Sequence, residues 1–489
     1  MRPSNLHPEK SSRPDYAESF RCIGPACEDT CCQGWSVPID QAAWEKYQTV
    51  PPGPLRTLLD ESILCNPVKG ISAGRAVANE ASAAQPTPFA QMKMTATNGC
   101  PLHNAEGLCR IHAELGEAFL STACATYPRI VHSFDGRDET ALSLSCPEAA
   151  RVVLLNPQLL DADSAAKSVF ASASANPSET DLGADLPSES QNPLFFHLQP
   201  IRTTVLALVQ NRAYPLWQRM FLLGILCRRL DSIGGGEVRR TVPVFLRDFE
   251  ATVASGGLHA ELETVPADHQ RQLDLVLQMA GMLLHRSNVR PRFVACIEAF
   301  TAGIGNGPGA TLESLTATYG AAHDRYFAPF FRKHPHILEN YLLNTIFRCQ
   351  FPFGRDGSKP DSTPSLAREF ALLTSQFALI KGLLIGVAGF HGERFSAEHV
   401  VHTVQAASKH FEHHPEFLTQ AHTLLSECRM DGARGLAILL RNVETHRPQR
   451  PFQEKRASDS QIGMRLRSGQ RSPEPALSLG ERQAGPALD

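Results

Sequence analysis

The uneven distribution of cysteine is the feature that most constrains this chain. Nine of its 13 cysteines lie within the first 146 of 489 residues. These nine are Cys22, Cys27, Cys31, Cys32, Cys65, Cys100, Cys109, Cys124 and Cys146. A chain of this length, with 42% hydrophobic residues, can bury a core of useful size without disulfide bonds. The early cysteines are therefore not needed merely to hold a small fold together.

The N-terminal sequence, the net charge and the apolar stretches indicate the cellular compartment and the class of partner. The N-terminal sequence MRPSNLHPEK has no apolar signal-peptide core, so we expect a cytoplasmic protein. In a reducing compartment, clustered cysteines are more often metal ligands or catalysts than disulfides. The net charge of -3 argues against a dedicated nucleic-acid-binding protein. The longest apolar stretch, Phe377 to Phe390, contains Lys381 and is too short for a typical membrane span.

The first cysteine motif is RCIGPACEDTCCQGW, with the spacing C-x4-C-x3-C-C. If residues 27–31 are helical, Cys27 and Cys31 share a face and Cys32 points about 100° away from Cys31. One ion cannot easily take both vicinal sulfurs without a local distortion. Either the backbone bends there or Cys31 and Cys32 serve different sites.

Four more thiols come from the stretches CPLHNAEGLCRIH, LSTACATYPRI and LSCPEA, which supply Cys100, Cys109, Cys124 and Cys146. Eight thiols are enough for two four-sulfur sites or for one site with supporting cysteines. Soft thiolates select zinc, copper(I) or iron–sulfur clusters. Four cysteines are common both in structural zinc sites and in iron–sulfur sites, so the spacing leaves the metal open. We expect the scattered cysteines to be small buried apolar residues: Cys65, Cys227, Cys296, Cys349 and Cys428.

Hydrophobic periodicity predicts a mainly helical chain with few strands. Apolar residues recur at spacings of three and four within residues 216–226, 273–284, 336–349, 371–390, 396–411 and 417–440. Ser396, which follows the breaker Gly392, marks a helix start. We predict a cysteine-rich metal-binding domain packed on a larger helical domain. The predicted segments are a disordered N-terminus at 1–19, the cysteine-rich domain at 20–155, a polar linker at 156–193, the helical domain at 194–446 and a disordered tail at 447–489.

These motifs resemble those of a known family. The stretches CIGPACEDTCCQGW, CPLHNAEGLCRIHAELGEAFLSTACATYPRI and LSCPEAAR closely resemble the flagellin lysine-N-methylase (FliB) family. The amino-terminal part of that family is similar to cysteine-rich domains that chelate zinc or iron. PHILENYLLNTIFRCQFPFG and the stretch beginning FALIKGLLIGVAGF resemble its carboxy-terminal half. The resemblance covers roughly residues 16–440.

The resemblance implies a protein-lysine N-methyltransferase that uses S-adenosylmethionine to methylate flagellin and holds a [4Fe-4S] cluster. It implies a cofactor-binding role for Cys22, Cys27, Cys31 and Cys32, and a metal-ligand role for all eight motif cysteines. Radical enzymes use the spacing C-x3-C-x2-C, from which this motif departs because Cys32 follows Cys31 directly. A polar transfer needs a deprotonated lysine amine, whose unperturbed pKa is about 10.4. It also needs nitrogen, carbon and sulfur held in line.

Further candidate catalytic residues lie near the cysteines or on the helices: Glu28, Asp29, Tyr127, Arg129, Asn340 and Tyr341. The two acids could orient the substrate amine, and Arg129 could approach a carboxylate. Each candidate also has a structural interpretation, as a surface acid, a salt bridge or a packing residue. A group of histidines lacks a HExxH motif, so we expect it on a solvated helix surface: His391, His399, His402, His410, His413 and His414.

A second function remains open at this stage, which is a non-enzymatic, chaperone-like zinc adaptor. The cysteine-rich domain would then hold zinc while the helices grip a partner. The bound metal separates the two interpretations. An iron–sulfur enzyme is brown and loses colour with reductant, whereas a zinc adaptor is colourless.

Overall fold

A computed structural model describes the chain at residues 11–12, 15–33, 37–65, 89–134, 137–160, 193–234, 237–285, 289–354, 365–412 and 414–442. Most of the predicted linker, and the predicted tail at 447–489, lie outside these residues. Residues 1–10 of the predicted N-terminus also lie outside them. The domain boundaries and the disorder at both ends therefore stay predictions.

The described part of the chain is mainly helical, as predicted. Short helices precede residue 160: α1 (Asp15–Ser19), α2 (Gln41–Gln48), α3 (Pro54–Ser62), α4 (Arg110–Leu115), α5 (Thr122–Thr126) and α6 (Pro147–Leu154). Longer helices dominate after residue 193: α7 (Leu198–Gln210), α8 (Leu216–Asp231), α9 (Val238–Ala254), α10 (His259–Leu262), α11 (His269–Leu284), α12 (Pro291–Gly303), α13 (Leu312–Ala322), α14 (Ala328–Lys333), α15 (His336–Arg348), α16 (Leu366–His391), α17 (Ala397–Phe411), α18 (Pro415–Glu427) and α19 (Ala433–Leu440). A π-helical turn at His323–Phe327 joins α13 to α14.

The strands of the described residues are short and lie in the first third of the chain: β1 (Ser11–Ser12), β2 (Pro38–Ile39), β3 (Ile63–Cys65), β4 (Ala90–Met92), β5 (Arg129–Phe134) and β6 (Arg137–Leu142). One sheet has the order β1-β6-β5, with β1 parallel and β5 antiparallel to β6. The other has the antiparallel order β2-β4-β3. The prediction of few strands is confirmed.

The 26-residue helix α16 forms the centre of the helical half. It begins where the Ser365 side chain accepts a hydrogen bond from the Arg368 amide, and it ends at Gly392. The φ of +55° at Gly392 favours glycine. Among the described residues, this is the one helix long and apolar enough to cross a membrane, and its most apolar window is wholly buried inside the protein. Core helices meet the same criteria of length and composition.

Helices α12 and α16 cross at glycines that leave no room for a side chain. A Cβ atom on Gly303 would lie 1.8 Å from the carbonyl oxygen of Gly386, and one on Gly386 would lie 2.8 Å from that of Phe300. Protein interiors are close-packed, so neither backbone can retreat without disturbing its own neighbours. Glycine is therefore required at both positions.

Two hydrophobic clusters organise the described residues of the first third. Val37, Tyr47, Leu59, Met92 and Ile111 belong to a small core built between α2, α3, β4 and α4. The large core contains the helical half together with residues of α1, β6 and α6. The cysteine-rich part of the chain is thus packed partly on its own core and partly on the helices.

Lys381, the charge that interrupts the apolar stretch, lies buried on α16. Its Nζ donates to the carbonyl oxygens of Leu439 at 2.8 Å and Leu440 at 2.9 Å, and to Oδ1 of Asn442 at 2.6 Å. Burial lowers the pKa of Lys381 to about 7. The side chain binds the carbonyls that the end of α19 leaves unpaired, which is where a helix attracts a cation.

Candidate metal and active site

The first cysteine motif does not form a helix between Cys27 and Cys31. A 3-10 turn spans Gly24–Ala26, and the Cys27 amide donates to the Gly24 carbonyl at 3.0 Å. The chain then bends, and the Cys32 amide donates to the Thr30 hydroxyl at 3.1 Å. The shared helical face considered for Cys27 and Cys31 is therefore absent from this described segment. Its thiols are displayed on irregular backbone instead.

Three later cysteines are positioned around Cys32. The Cys100 amide donates to the Cys32 carbonyl at 2.7 Å. Cys109 precedes α4 and forms a β-bridge with His103, and the His103 ring lies 3.4 Å from the Thr30 hydroxyl. Cys124 lies in α5. These contacts join residues 30–32 to the loop that leads into α4.

Asp40 joins α2 to α5, the short helix that carries Cys124. Its Oδ1 accepts from the Ala43 amide at 2.9 Å, and its Oδ2 accepts from the Thr122 amide at 2.8 Å. Burial alone would raise the pKa of Asp40, but these hydrogen bonds outweigh it and the pKa is lowered. The position of Cys124 is therefore set by a charged group of the small core.

The first motif is fastened to the helical half by its two acids. Asp29 accepts hydrogen bonds from Lys409 Nζ and from Gln405 Nε2, each at 2.7 Å. The same Gln405 amide donates at 2.9 Å to the carbonyl of Ser145, the residue directly before Cys146. Glu28 pairs with Arg151 on α6. The two candidate acids therefore have defined partners, and those partners bring the Cys27 end of the motif beside Cys146.

The thiols of these cysteines are close enough to perturb one another. Burial raises the pKa of Cys100 and of Cys146 to about 12, and that of Cys124 to about 11. The pKa values of Cys27 and Cys109 are also raised, chiefly by burial. The hydrogen bond between the vicinal thiols raises the pKa of Cys31 and lowers that of Cys32. A metal cation would lower the pKa of each thiol that it binds, because it binds the thiolate form.

The donor set fits a soft metal. The motifs offer eight cysteine sulfurs as donors. Such a set suits zinc or an iron–sulfur cluster. In the described residues, no group of three or more His, Cys, Asp or Glu side chains is already arranged to hold an ion. The ligand roles of the eight cysteines therefore stay predictions.

The candidate residues after Cys124 divide between a polar network and structural contacts. Arg129 donates from Nη2 to the Phe20 carbonyl at 2.9 Å and from Nε to the Ala17 carbonyl at 3.3 Å. Asn340 Nδ2 donates to the carbonyls of Val153 at 2.9 Å and Asn156 at 2.7 Å, at the end of α6. Arg129 and Asn340 thus hold backbone in place, and the Arg129 guanidinium also lies over the Phe20 ring, 5.1 Å from its centroid.

Tyr127 begins a chain of hydroxyl groups that ends on a carboxylate. Its OH lies 3.0 Å from Ser145 Oγ, which lies 2.6 Å from Ser143 Oγ. Ser143 Oγ donates to Glu412 Oε2 at 2.6 Å, and Glu412 Oε1 lies 3.5 Å from Arg348 Nε. Burial raises the pKa of Tyr127 well above its ordinary value, so its hydroxyl stays neutral. This network joins the cysteine region to the helical half.

The sequence pointed to Tyr127 but not to the rest of this network. The buried Tyr341 lies beside Arg348 and Glu412, and burial raises its pKa. The signal for the serines was the alternation in LSLSC, which places Ser143 and Ser145 two residues apart before a motif cysteine. Glu412 gave no local signal, because the serine that binds it lies 269 residues away along the chain.

The prediction that the histidines lie on a solvated helix surface is wrong for His410. That residue is buried, its ring stacks on Phe293 at 4.2 Å, and its Nε2 accepts from the Arg290 amide at 3.1 Å. His402 is half-buried, and burial lowers its pKa to about 4. His413 lies outside the described residues. The physical reason is that the cysteine motif and α12 cover this face of α17.

The scattered cysteines, for which burial was predicted, occupy both buried and exposed positions. Cys227 and Cys296 are buried, as predicted. Cys65 and Cys428 are exposed, so the prediction of burial is wrong for them. Cys349 lies between these extremes. Cys65 ends the edge strand β3, and the turn after α18 carries Cys428, which explains their exposure.

Comparison with known proteins identifies the helical half. Residues 202–439 match the family model of the FliB lysine N-methylase C-terminal domain. We call residues 202–439, which match this model, the FliB domain. Over 430 residues the chain is 22% identical to the lysine-N-methylase of Salmonella typhimurium, a match that covers 86% of this chain and 96% of that protein. The lysine-N-methylase of Salmonella choleraesuis matches with the same values.

The flagellar biosynthetic protein FliU of Salmonella muenchen is 27% identical over 150 residues, which cover 30% of this chain and 79% of that protein. No solved structure matches the chain. The predicted resemblance to the FliB family is confirmed. Gln405, Lys409 and Glu412 all belong to the FliB domain, which therefore forms one wall of the candidate site.

Proposed function

We propose that this protein is a protein-lysine N-methyltransferase that transfers methyl groups from S-adenosylmethionine to lysine side chains of flagellin. The observation that carries the proposal is the similarity to lysine-N-methylases over 86% of the chain. The name of the FliU relative supports a flagellar substrate. The eight cysteines of the motifs support a bound [4Fe-4S] cluster, with zinc as the alternative. A cytoplasmic location belongs to the same proposal, because thiolate ligands persist in a reducing compartment.

The reaction requires loss of a proton from the substrate ammonium, whose unperturbed pKa is about 10.4. The network from Tyr127 through Ser145 and Ser143 to Glu412 is suited to receive it. The Tyr127 hydroxyl stays neutral and both accepts and donates hydrogen bonds. It can therefore take the proton as its own moves along the serines to the Glu412 carboxylate. All three links of the chain measure 3.0 Å or less.

The cysteines would hold the cluster next to this network, since Cys31 and Cys146 are electrostatic neighbours of Tyr127. When bound, a cluster with an open iron position supplies an anchor for the amino and carboxylate groups of the methyl donor. The ion pair of Asp29 with Lys409 holds the motif against the FliB domain. A substrate lysine entering between these parts would meet Tyr127 on one side and the donor on the other.

The test is a methyl-transfer assay with anaerobically purified protein, S-adenosylmethionine and flagellin, read by mass spectrometry of flagellin lysines. We expect methylated lysine with the unaltered protein and about a 100-fold lower kcat for Tyr127→Phe, as for removal of a proton-transfer group. Tyr214→Phe is the matched control, because its hydroxyl binds the Val253 carbonyl and is not part of the hydroxyl network. Its kcat should stay unchanged.

Three outcomes would each overturn a part of the proposal. Full metal loading without any methylated lysine on flagellin would refute flagellin as the substrate. A colourless protein with stoichiometric zinc and no methyl transfer to any protein would favour the adaptor interpretation. Equal kcat values for Tyr127→Phe and Tyr214→Phe would remove Tyr127 from the proton path while leaving the methyltransferase proposal intact.

A further inference from the structure

We propose that a groove between helices α11 and α18 is the docking site for a lysine-bearing segment of flagellin. The groove has a volume of about 970 Å³, which is within the range of pockets that hold ligands. It lies within the FliB domain, and its lining shares no residue with the hydroxyl network or the cysteine motifs. The identity of the occupant rests on the proposed function, whereas the groove itself follows from the packing of the two helices.

The first wall of the groove is formed by the last two turns of α11 and the residue that follows them. Gln278, Gly281 and His285 line this wall at spacings of three and four, so they share one face of the helix. Gln278 and His285 are exposed, and the His285 ring turns back so that its Nδ1 lies 2.7 Å from the Gly281 carbonyl oxygen. A Cβ atom on Gly281 would meet nothing within 4 Å. The floor of the groove is therefore open at this glycine.

The second wall is one exposed face of α18. Glu416, Gln420, Thr423 and Glu427 line it, and their spacings of four, three and four place them in a single row. At 1.5 Å per residue, this row is about 17 Å long. An extended chain rises about 3.3 Å per residue, so the row can contact about five residues of a bound segment.

The charge of the groove determines which partner it can bind. Glu416 and Glu427 place a carboxylate at each end of the row, and none of the described residues that line the groove is Lys or Arg. Asp274 adds a third carboxylate one helical turn before Gln278, whose Nε2 donates to it at 3.1 Å. Carboxylates along a cleft attract cations and repel acidic partners. A segment that carries lysine side chains therefore complements this groove.

Between the two glutamates, the lining is uncharged and suited to the backbone of a bound segment. The side chains of Gln420 and Thr423 can both donate and accept hydrogen bonds. Met282 and Leu424 supply the apolar part of the lining. A methionine side chain adapts its shape to different contacts. The groove therefore selects for charge more than for sequence, which suits a substrate that offers several lysines.

The groove is close along the chain to the hydroxyl network. Glu412, the carboxylate that ends the network, precedes Glu416 by four residues, so their Cα atoms are at most about 15 Å apart. A segment in the groove is therefore held near the proposed proton path, where a neighbouring lysine of the same substrate can react. The groove residues position the substrate and take no part in the proton transfer, so their loss should appear in KM.

The test measures the Kd of fluorescently labelled flagellin by anisotropy without the methyl donor, and kcat and KM with it, on the full-length protein. Glu416→Gln combined with Glu427→Gln should raise Kd and KM about 10-fold at constant kcat, since an exposed charge pair contributes up to about fivefold. Gly281→Leu should raise both by about 10-fold or more, because its side chain enters the open floor of the groove. Salt should narrow the difference between the unaltered protein and the glutamate variant, because it screens exposed charges.

Two control variants match these changes. Glu298→Gln removes an exposed glutamate of α12, outside the groove. Gly307→Leu adds a leucine at a loop position where a Cβ atom also meets nothing within 4 Å. Each should leave Kd and KM unchanged. A further measurement needs no variant, because flagellin with acetylated lysines has lost the positive charges and should bind the unaltered protein about 10-fold more weakly.

The outcomes separate the docking site from the proposed reaction. Equal Kd values for the unaltered protein, the glutamate variant and Gly281→Leu would overturn the docking site and leave the methyltransferase proposal intact, as would binding of acetylated flagellin with unchanged affinity. Binding that both variants weaken, without methylated lysine, would support the docking site and refute the methyl transfer. A dimer that Gly281→Leu dissociates in analytical ultracentrifugation would assign the groove to a second copy of this chain and overturn the inference.

Discussion

Replacing Asp29 by alanine is expected to detach the first cysteine motif from the FliB domain. Asp29 and Lys409 form a nearly buried ion pair, with side chains 10% and 8% exposed. Removing one partner of a buried pair costs about 3–5 kcal/mol, because the other charge is left uncompensated. Lys409 keeps the Thr30 carbonyl at 3.0 Å and Gln405 keeps the Ser145 carbonyl at 2.9 Å, which favours the lower end of that range. We therefore expect a loss of about 3 kcal/mol.

The assay is amide hydrogen exchange of residues 27–33, which reports local opening of the motif. A loss of about 3 kcal/mol corresponds to exchange about 100-fold faster. Asp29→Asn, which keeps an acceptor for Lys409, should give an intermediate rate. Asp60→Ala is the matched control, because Asp60 forms an exposed i,i+4 pair with Arg56, and it should change exchange in this motif by less than about twofold. Exchange in Asp29→Ala within about threefold of the unaltered protein would refute the docking role.

Three further changes test the helical half. Lys381→Met should lower the free energy of unfolding by about 2 kcal/mol in a urea titration, because the last carbonyls of α19 lose their donor; an unchanged value would contradict the capping role. Gly303→Ala should cost about 3 kcal/mol in thermal unfolding through its collision with Gly386, whereas Gly281→Ala, whose Cβ meets nothing within 4 Å, should be neutral or stabilising. Equal melting temperatures for the two glycine variants would refute the close approach. Burial lowers the pKa of His323 to about 4, against about 6.5 when unfolded, so its contribution is complete above pH 6.5 and is lost as the pH falls towards 4. His323→Gln should remove about 3 kcal/mol of that pH dependence, and superimposable stability profiles would argue against it.

The helices were predictable because their signals are local. The apolar spacing from His336 predicts a helix to residue 349, and α15 spans His336–Arg348. Ser396 was predicted to start a helix, and it is the N-cap of α17, where its side chain and that of His399 form a capping box. The helix predicted at 371–390 begins earlier in the structure, because α16 spans Leu366–His391. Its boundary was misplaced because α16 is buried on every side. A helix without a polar face has no amphipathic boundary by which its ends can be located.

The polar contacts of the candidate site were not predictable, because they join residues that are distant in sequence. Asp29 meets Gln405 and Lys409 across 376 and 380 residues. On the sequence, the polar face of α17 has the pattern of any helix that faces solvent. The same pattern arises when that face binds another polar segment, so His402 and Lys409 could not be distinguished from surface residues.

Cys31 and Cys32 lie between one attachment of the chain to the FliB domain and another to the small core. On one side, the motif is held to the FliB domain through Asp29 and Lys409. On the other, the Cys32 carbonyl and Gln33 pair with residues 99–100, which lead into the small core. The backbone between these attachments is only a few residues long, and it contains the vicinal pair. A shift of either core relative to the other must therefore change the separation or the angle of these two thiols. The proposed metal ligation by the cysteines would thereby be coupled to the packing of the two cores through a single peptide bond.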